Sequence, residues 1–192
     1  MRVTILQPSY LPWLGFFEQM SRSDKFVLLD DVQYTRRDWR NRNRIRVKES
    51  WVWLTVPVQQ KRRFSQSLLE TRIDNSLPWR RKHLETLRQH YCKAPFFEKY
   101  FPRCQQVYEQ EWTFLFDLCL ETIHLIKEEM GIETPFLRSS EMKPSGEKTQ
   151  RLVSICRELG ATHYLSGESG SNYISEEDFS SQGIALEYQN YE

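Results

Sequence analysis

A cluster of arginines is the feature of this chain that most directly indicates chemistry. Residues 36–48 carry seven arginine or lysine residues and a single acid, Asp38. Guanidinium groups bind phosphate or carboxylate through paired hydrogen bonds, and Trp39 can stack on a base or another ring. We therefore expect a site for a small anionic ligand, with an RNA-binding loop, a solvated face and ion pairs to acidic helices as alternatives. The residues assigned to binding are Trp39, Arg40, Asn41, Arg42, Asn43 and Arg44, and Arg37 is assigned to catalysis as a charge-stabilising cation.

Polar residues also follow three apolar runs that are typical of buried strands. The three polar segments are Gln7–Trp13, Asp30–Tyr34 and Ser166–Tyr173. Ligands in open α/β sheets bind outside the carboxyl ends of the strands. We therefore expect the three segments to converge on one pocket.

The first segment offers an amide, Gln7, and a phenol, Tyr10, within a turn that begins at Pro8. A helix that begins near Trp13 and includes Gly15 would direct its free N–H groups at an anion. A proline-rich turn with aromatic packing explains the same residues equally well. In the second segment, Gln33 and Tyr34 are further binding candidates.

Asp30 and Asp31 are the carboxylate candidates for catalysis. At a strand end they could act as a base, hold Mg²⁺ or orient a ribose. Helix caps and salt bridges to the following arginines are the structural alternatives. His163 is a further catalytic candidate, because it precedes the third segment directly.

The third segment is a glycine-containing loop that can approach a phosphate closely. Its binding candidates are Ser166, Gly167, Glu168, Ser169 and Tyr173. The stretch Gly146-Glu147-Lys148-Thr149 ends like a phosphate-binding P-loop, but Glu141 stands where the first glycine is required, which excludes that motif. Lys148 and Thr149 remain candidates for contact with an anion at a helix start.

Apolar spacing predicts the elements that position these residues. Expected strands are Val3–Leu6, Lys25–Asp30, Trp51–Val58, Leu69–Ile73, Pro135–Arg138, His163–Leu165 and Ile184–Tyr188, and Lys61–Ser67 is expected to be a polar connection. Helices are expected at 13–20, from Pro78 and from Pro95, at 112–130 and at 147–159. The pattern predicts an α/β fold, a Rossmann-like and mostly parallel sheet with flanking helices and a helical insertion. We expect one domain over residues 1–192, with a helical subdomain at about 76–131.

The totals are consistent with a cytoplasmic protein. The net charge is +1, so the electrostatic field of the whole protein does not favour binding to nucleic acid or to a membrane. The four cysteines lack zinc-like spacing, so no metal ligands are assigned. The chain begins directly with a strand pattern rather than a signal peptide, and it contains no apolar run of about 18 residues that could span a membrane.

Five segments together resemble the WbqC-like protein family: LQPSYLPWLGFFEQM, SDKFVLLDDVQYTRRDWRNRNRIR, WLTVPV, LPWRRKHLETLRQHYCKAPFFEKY and GATHYLSGESGSNYI. The resemblance implies a role in making or decorating bacterial surface polysaccharide such as O-antigen. Members of that family continue past the last strand with a His-Pro segment and a helix. This sequence stops at Tyr191-Glu192, so we expect that tail to be absent.

A second resemblance is to the nucleotidylyltransferase-like α/β superfamily, including tRNA acetate ligases that use ATP. That superfamily places two histidines around a glycine, whereas this sequence has Trp13 and Phe16 around Gly15. The likeness implies nucleotide binding, with ATP and Mg²⁺ as candidate cofactors, but not the usual transfer mechanism.

These resemblances lead to three functional hypotheses. The first is an enzyme that acts on a nucleotide-linked amino sugar by acyl or amino-acyl transfer. The second is an adaptor that binds a nucleotide-sugar or a protein without catalysis. RNA binding is the least favoured of the three, because the total charge is near neutral.

Overall fold

The computed structural model describes residues 1–59 and 66–191, so most of the predicted polar connection Lys61–Ser67 lies outside the described residues. The chain divides into two compact units. The first unit contains Met1–Gln7, Trp13–Asp31 and Lys127–Glu192, and the second contains Pro8–Pro12 and Val32–Ile126.

The first unit is built on a five-stranded sheet in which every neighbouring pair is parallel. Its strands are β1 (Arg2–Leu6), β2 (Lys25–Leu28), β5 (Phe136–Arg138), β6 (His163–Ser166) and β7 (Ala185–Tyr188). Fully buried side chains such as Val3, Phe26 and Leu165 explain why these runs lack polar alternation, since helices cover parallel sheets on both faces. The predicted α/β class with a parallel sheet is confirmed.

The spatial order of the strands is β5-β2-β1-β6-β7. Counted along the chain within this sheet, that order is 3-2-1-4-5. The chain therefore winds outward in one direction from β1 and in the other from β6, which makes the gap between these strands the topological switch point. Gln7 follows β1 at this point, and Gly167 follows β6.

The other elements of the first unit are α1 (Leu14–Ser21), α5 (Ser139–Met142), α6 (Lys148–Glu158), a 3-10 turn (Glu168–Asn172) and α7 (Glu176–Ser180). Ile155 and Cys156 on α6 and Phe179 on α7 are fully buried in one apolar cluster with the sheet residues. The predicted helices at 13–20 and 147–159 are confirmed, whereas α5 and α7 are additional short helices.

The second unit combines an antiparallel hairpin with helices. Its elements are β3 (Arg42–Val47), β4 (Ser50–Thr55), α2 (Trp79–Tyr91), α3 (Phe97–Glu109) and α4 (Leu115–Glu129), the last extending past the unit boundary. A second apolar cluster, which includes Leu54, Trp79 and Leu118, forms its core. Because these elements lie along the chain between β2 and β5, they are the predicted helical insertion.

Three details of the elements differ from the prediction. No strand or helix was predicted within residues 34–48, whereas β3 begins at Arg42. Leu69–Ile73 is not a strand, since Arg72 and Ile73 form only isolated bridges. The strand predicted at Trp51–Val58 ends at Thr55, ahead of Pro57, which lacks the N–H needed to continue a ladder.

Among the described residues, none of the helices is long and apolar enough to cross a membrane. Whether residues 1–192 behave as one domain with a helical subdomain stays a prediction.

Candidate functional site

The carboxyl end of β6 holds a tightly built turn. Ser166 is 3% exposed, and its hydroxyl donates to the carbonyl of Gly167 over 3.1 Å. A Cβ at Gly170 would lie 2.1 Å from the Ser166 hydroxyl oxygen and 2.8 Å from Ile174 Cδ1. Only glycine therefore lets the 3-10 turn fold back over the end of the strand.

Gly167 is open in comparison. A Cβ there would find its nearest neighbour, the Gln19 amide nitrogen, at 3.5 Å, which is ordinary contact. Its backbone angles, φ −65° and ψ 156°, suit any residue. Glu168 and Ser169, which follow it, are exposed. The predicted glycine segment thus presents an accessible backbone and polar side chains at the switch point.

The start of α1 is the second candidate anion site of the first unit. The N-cap residue is Trp13, whose side chain makes no capping hydrogen bond, and the Phe16 N–H donates to the Trp13 carbonyl over 3.0 Å. Trp13 is 52% exposed and packs edge-on against Tyr191, with ring centroids 5.3 Å apart. A Cβ on Gly15 would lie 2.0 Å from the Trp13 ring, so this glycine lets the indole lie against the helix start.

A buried pair of glutamines joins α1 to the end of β7. The Gln189 amide donates to the Gly15 carbonyl over 2.9 Å and also contacts Glu18, and the Gln19 amide donates to Gln189 over 2.6 Å. The backbone N–H of Gln189 donates to the Ser166 carbonyl over 2.8 Å. Gln189 therefore fixes the first turns of α1 relative to the carboxyl ends of β6 and β7.

Asp30 has a structural environment rather than a catalytic one. Its side chain is fully buried and accepts hydrogen bonds from Arg138 Nε at 2.7 Å, the Ser140 N–H at 2.9 Å and the Ser140 hydroxyl at 2.9 Å. Burial alone would raise its pKa, but these bonds from Arg138 and Ser140 hold the pKa below its ordinary value. Asp31 pairs with Arg151 and accepts from the Ser139 hydroxyl at 2.6 Å.

Both carboxylates thus have their oxygens engaged by the segments that follow β5 and by α6. An ionised, fully buried Asp30 has no oxygen facing a substrate proton, so its predicted role as a base gains no support from this arrangement. The same donor set does not fit a Mg²⁺ site, because a hard cation needs several free oxygens. In the part of the chain that the structure describes, no group of three or more His, Cys, Asp and Glu residues is placed to hold a metal ion.

Thr149 lies close to the glycine segment. Its hydroxyl is within 3.4 Å of the Tyr173 carbonyl, and it accepts from the Ser175 N–H at 3.3 Å. Lys148, directly before it, is exposed and has a positive φ of 47°. A surface groove of about 720 Å³ adjoins this helix start and is lined by residues that include Gly146, Gln150, Ser154, Arg157 and Asp178.

His163 is not brought to the carboxyl edge. It is the first residue of β6, and its ring nitrogen lies 2.9 Å from the Thr162 hydroxyl. Because every strand of the sheet points the same way, His163 lies at the amino-terminal edge, a strand length from Ser166. We predicted a catalytic role for His163 because it is close to Ser166 in the sequence. The extended strand places these two residues at opposite edges of the sheet.

Tyr10 belongs to the core of the second unit. It is fully buried, and its hydroxyl bonds to His83 Nδ1 at 2.9 Å and to the Tyr108 hydroxyl. His83 Nε2 lies 3.2 Å from the Thr55 carbonyl, so the ring donates there and accepts from Tyr10. Burial lowers the pKa of His83 to about 4 and raises that of Tyr10 well above its ordinary value. The phenol is thus unavailable at a ligand pocket.

Part of the arginine and asparagine cluster holds the Pro8–Pro12 segment. Arg40 donates to the Ser9 hydroxyl over 3.0 Å, and its carbonyl accepts from the Tyr10 N–H at 3.1 Å. Asn43 donates to the Leu11 carbonyl, and buried Asn41 donates to the Val56 carbonyl over 2.7 Å. These contacts explain why the cluster mixes amides with cations.

The remaining arginines of the hairpin lie against tryptophans. Arg42 stacks over Trp53 with its guanidinium carbon 4.3 Å from the ring centroid, and Arg44 lies 4.9 Å from Trp51. Arg37 is exposed, with a positive φ of 58°, and its carbonyl accepts from Arg42.

Two further candidates precede the arginines. Tyr34 is 6% exposed, and its hydroxyl has no hydrogen-bond partner among the described residues. Burial raises the pKa of Tyr34 to about 12, although the positive charge of the nearby Arg36 acts to lower it. Gln33, which is exposed, forms a bridge with Ser67.

Comparison with known proteins gives a match to the WbqC-like protein family over residues 7–192. The chain belongs to the WbqC-like family. It is 36% identical over 192 residues to "Uncharacterized protein Rv1507c" of Mycobacterium tuberculosis (strain ATCC 25618 / H37Rv), an alignment that covers all of this chain and 83% of that protein. No solved structure matches the chain significantly.

In this WbqC-like protein, two contacts were not predicted from the sequence, one beside the switch point and one in the core of the second unit. The Gln19–Gln189 pair had one signal, since Gln19 falls on the apolar face of α1 between Phe16 and Met20, where a polar side chain needs a buried partner. The Tyr10–His83 bond joins residues 73 positions apart, and no local pattern predicts it.

Proposed function

We propose that this WbqC-like protein binds a nucleotide-linked sugar at the switch point of its parallel sheet and works in making or modifying surface polysaccharide. One observation carries the proposal: the strand order β5-β2-β1-β6-β7 puts the carboxyl ends of β1 and β6 side by side, followed by Gln7 and by Gly167. In open α/β sheets this is the position at which ligands bind.

The chemistry of the two ends suits a phosphate-bearing ligand. The first turn of α1, which the Trp13 side chain does not cap, offers backbone N–H groups and the positive end of the helix dipole. The open backbone at Gly167 allows close approach, and Ser169 adds an exposed hydroxyl. The family membership supports the sugar part of the ligand, because the family is associated with polysaccharide biosynthesis.

The proposed reaction is ATP-dependent acyl or amino-acyl transfer: the carboxylate of the acyl donor takes a phosphoryl or adenylyl group from ATP with release of ADP or pyrophosphate, and the amino group of the sugar then displaces phosphate or AMP to form an amide. Trp13 and Phe16 stand where the nucleotidylyltransferase-like superfamily has two histidines that stabilise the transferred phosphate. Another cation is therefore needed to stabilise that negative charge. Lys148 is exposed at the start of α6, beside Thr149, which contacts the glycine segment. Mg²⁺ would enter as the nucleotide complex rather than through Asp30 or Asp31.

A binding protein without catalysis is the second candidate. The engagement of Asp30 and Asp31 by arginine and serine side chains favours it, because it removes the two carboxylates that were best placed to act as a base. Binding without turnover of an ATP and amino-sugar-nucleotide mixture would select this candidate.

The test is a thermal-shift screen with ATP, UDP-sugars and dTDP-sugars, each with and without Mg²⁺. A ligand that binds only the folded state raises Tm by mass action. We expect a rise with a sugar nucleotide, and we expect Gly167→Ala to reduce it while leaving the unliganded Tm unchanged. Ser180→Ala, an exposed change on α7, is the matched control. A screen with no shift for any nucleotide overturns the proposal.

A further inference from the structure

The outer face of the β3–β4 hairpin in the second unit exposes tryptophan and arginine side chains together. Alternate residues point to one face of a strand, and the register pairs Arg44 with Trp53 and Arg46 with Trp51. The preceding turn adds one more indole. We name this surface the Trp–Arg face, and its members are Trp39, Arg42, Arg44, Arg46, Trp51 and Trp53.

The opposite face of the hairpin explains why the Trp–Arg face is free. Leu54 on that side is 2% exposed and belongs to the core of the second unit, and Ile45 packs against the same cluster. The hairpin is therefore anchored through its inner side chains. Its tryptophans are left in solvent, with Trp39 at 43%, Trp51 at 49% and Trp53 at 37% exposure.

The arginines of the Trp–Arg face lack a direct carboxylate partner among the described residues. Among residues 1–59 and 66–191, no carboxylate forms an ion pair with Arg42, Arg44 or Arg46. The nearby acid, Asp38, forms its ion pair with Arg40 at 3.5 Å and accepts from the Thr35 hydroxyl at 2.7 Å, so its charge acts on Arg42 without a direct contact. Alternate arginines along a strand are about 6.8 Å apart, so the face presents a short row of cations.

The indoles and the guanidinium groups form one unit. Arg44 lies 4.9 Å from the Trp51 centroid, 5.3 Å from Trp39 and 5.6 Å from Trp53. This packing holds the guanidinium groups in place, so they can bind an anion with little further loss of entropy. The exposed parts of the rings remain free for contact with an apolar ring face.

We propose that the Trp–Arg face binds an acidic saccharide, with arginines on its carboxylates and indoles against the C–H faces of its sugar rings. Bases of a nucleic acid strand stack on successive aromatic platforms. Here the Trp39 and Trp53 rings are inclined by 44°, and those of Trp51 and Trp53 by 81°, which suits sugar rings turned relative to one another. The choice of a saccharide rests also on the proposed function, whereas the anionic character rests on the arginines alone.

The experiment titrates the full chain with trigalacturonate, with neutral maltotriose and with a short single-stranded oligonucleotide, by isothermal titration calorimetry. We expect trigalacturonate to bind at least tenfold more tightly than either other probe. Arg44→Gln and Trp51→Thr should each weaken its binding about tenfold, and Arg44→Lys should weaken it less, because lysine keeps the charge without the planar fork.

Lys93→Gln and Phe96→Thr are the matched controls, since both residues are exposed in the second unit away from the hairpin strands. No binding of trigalacturonate, equal binding of maltotriose or equal losses in the controls overturns the proposal. Tighter binding of the oligonucleotide also overturns it and identifies a nucleic-acid surface instead.

The two proposals fail separately. Trp51→Thr should leave the Tm rise caused by a sugar nucleotide unchanged, and Gly167→Ala should leave trigalacturonate binding unchanged. If nucleotides cause no Tm rise but trigalacturonate binds as expected, the proposed function is contradicted and the proposed role of the Trp–Arg face is supported.

Discussion

At the scale of single residues, the second unit depends on a histidine that is kept neutral. His83 lies between the Tyr10 hydroxyl and the Thr55 carbonyl, and the bond that its Nδ1 accepts from Tyr10 requires the uncharged ring. Protonation would put a hydrogen on the nitrogen that accepts from Tyr10. The network therefore links the Pro8–Pro12 segment to α2 only while His83 is neutral.

The free energy of unfolding should fall on acidification through this group. Burial lowers the folded-state pKa of His83 to about 4 from an ordinary value of 6.5. The unfolded chain therefore binds more protons between these values, and the contribution present above pH 6.5 is lost as the pH falls toward 4. The loss is about 3 kcal/mol. Urea unfolding from pH 7 to pH 4 measures it, with His83→Gln as the control that lacks this titration, and an NMR pKa near 6.5 would contradict it.

Asp30 should matter for stability more than Asp31. Asp30→Asn removes the charge that Arg138 and Ser140 are arranged to bind in a fully buried position, which should cost about 2–4 kcal/mol. Asp31→Asn breaks a pair whose members are each 24% exposed, so its cost should be about 1 kcal/mol. Equal losses in chemical denaturation would show that the burial difference is unimportant.

At the scale of elements, the two glycines of the segment after β6 should respond in opposite ways. Gly170→Ala forces a Cβ against buried Ser166 and should lower stability by about 1–3 kcal/mol, because the hydroxyl would have to leave its bond to the Gly167 carbonyl and Ile174 would have to shift. Gly167→Ala should leave stability unchanged and affect only ligand binding. Thermal unfolding of the two variants measures the difference, and matched Tm values would contradict this reading of the turn.

Elements whose burial shows in their apolar pattern were predictable from the sequence. β1, β2 and β6 are short apolar runs because helices cover both faces of the sheet, and α1 and α6 show helical spacing. β3 was not predictable, because its outer face carries Arg42, Arg44 and Arg46. Cation–π contacts with β4 stabilise that face, and such contacts leave no periodic pattern of apolar residues in the sequence.

Positions along strands were easier to infer than side-chain environments. Gln7 and Gly167 meet at the switch point because parallel strands end at one edge. The environment of Asp30 depends on Arg138, more than a hundred residues away, and that of Tyr10 depends on His83. A carboxylate or phenol after a strand has the same local sequence whether it faces a ligand or a buried partner.

At the scale of the whole molecule, each compact unit carries its own candidate surface. The first unit holds the switch point, with Gln7, the start of α1 and the turn after β6. The second unit holds the Trp–Arg face. Membership of the WbqC-like family covers both, since the match extends over residues 7–192.

The central claim is that a nucleotide-linked sugar binds at the switch point between β1 and β6. Amide NMR shifts of the ¹⁵N-labelled chain, titrated with the sugar nucleotide that gives the largest Tm rise, test it directly. We expect the largest shifts at Gln7, at Leu14 and Gly15, and at Gly167–Ser169. Shifts confined to the groove beside α6 or to the β3–β4 hairpin would contradict it.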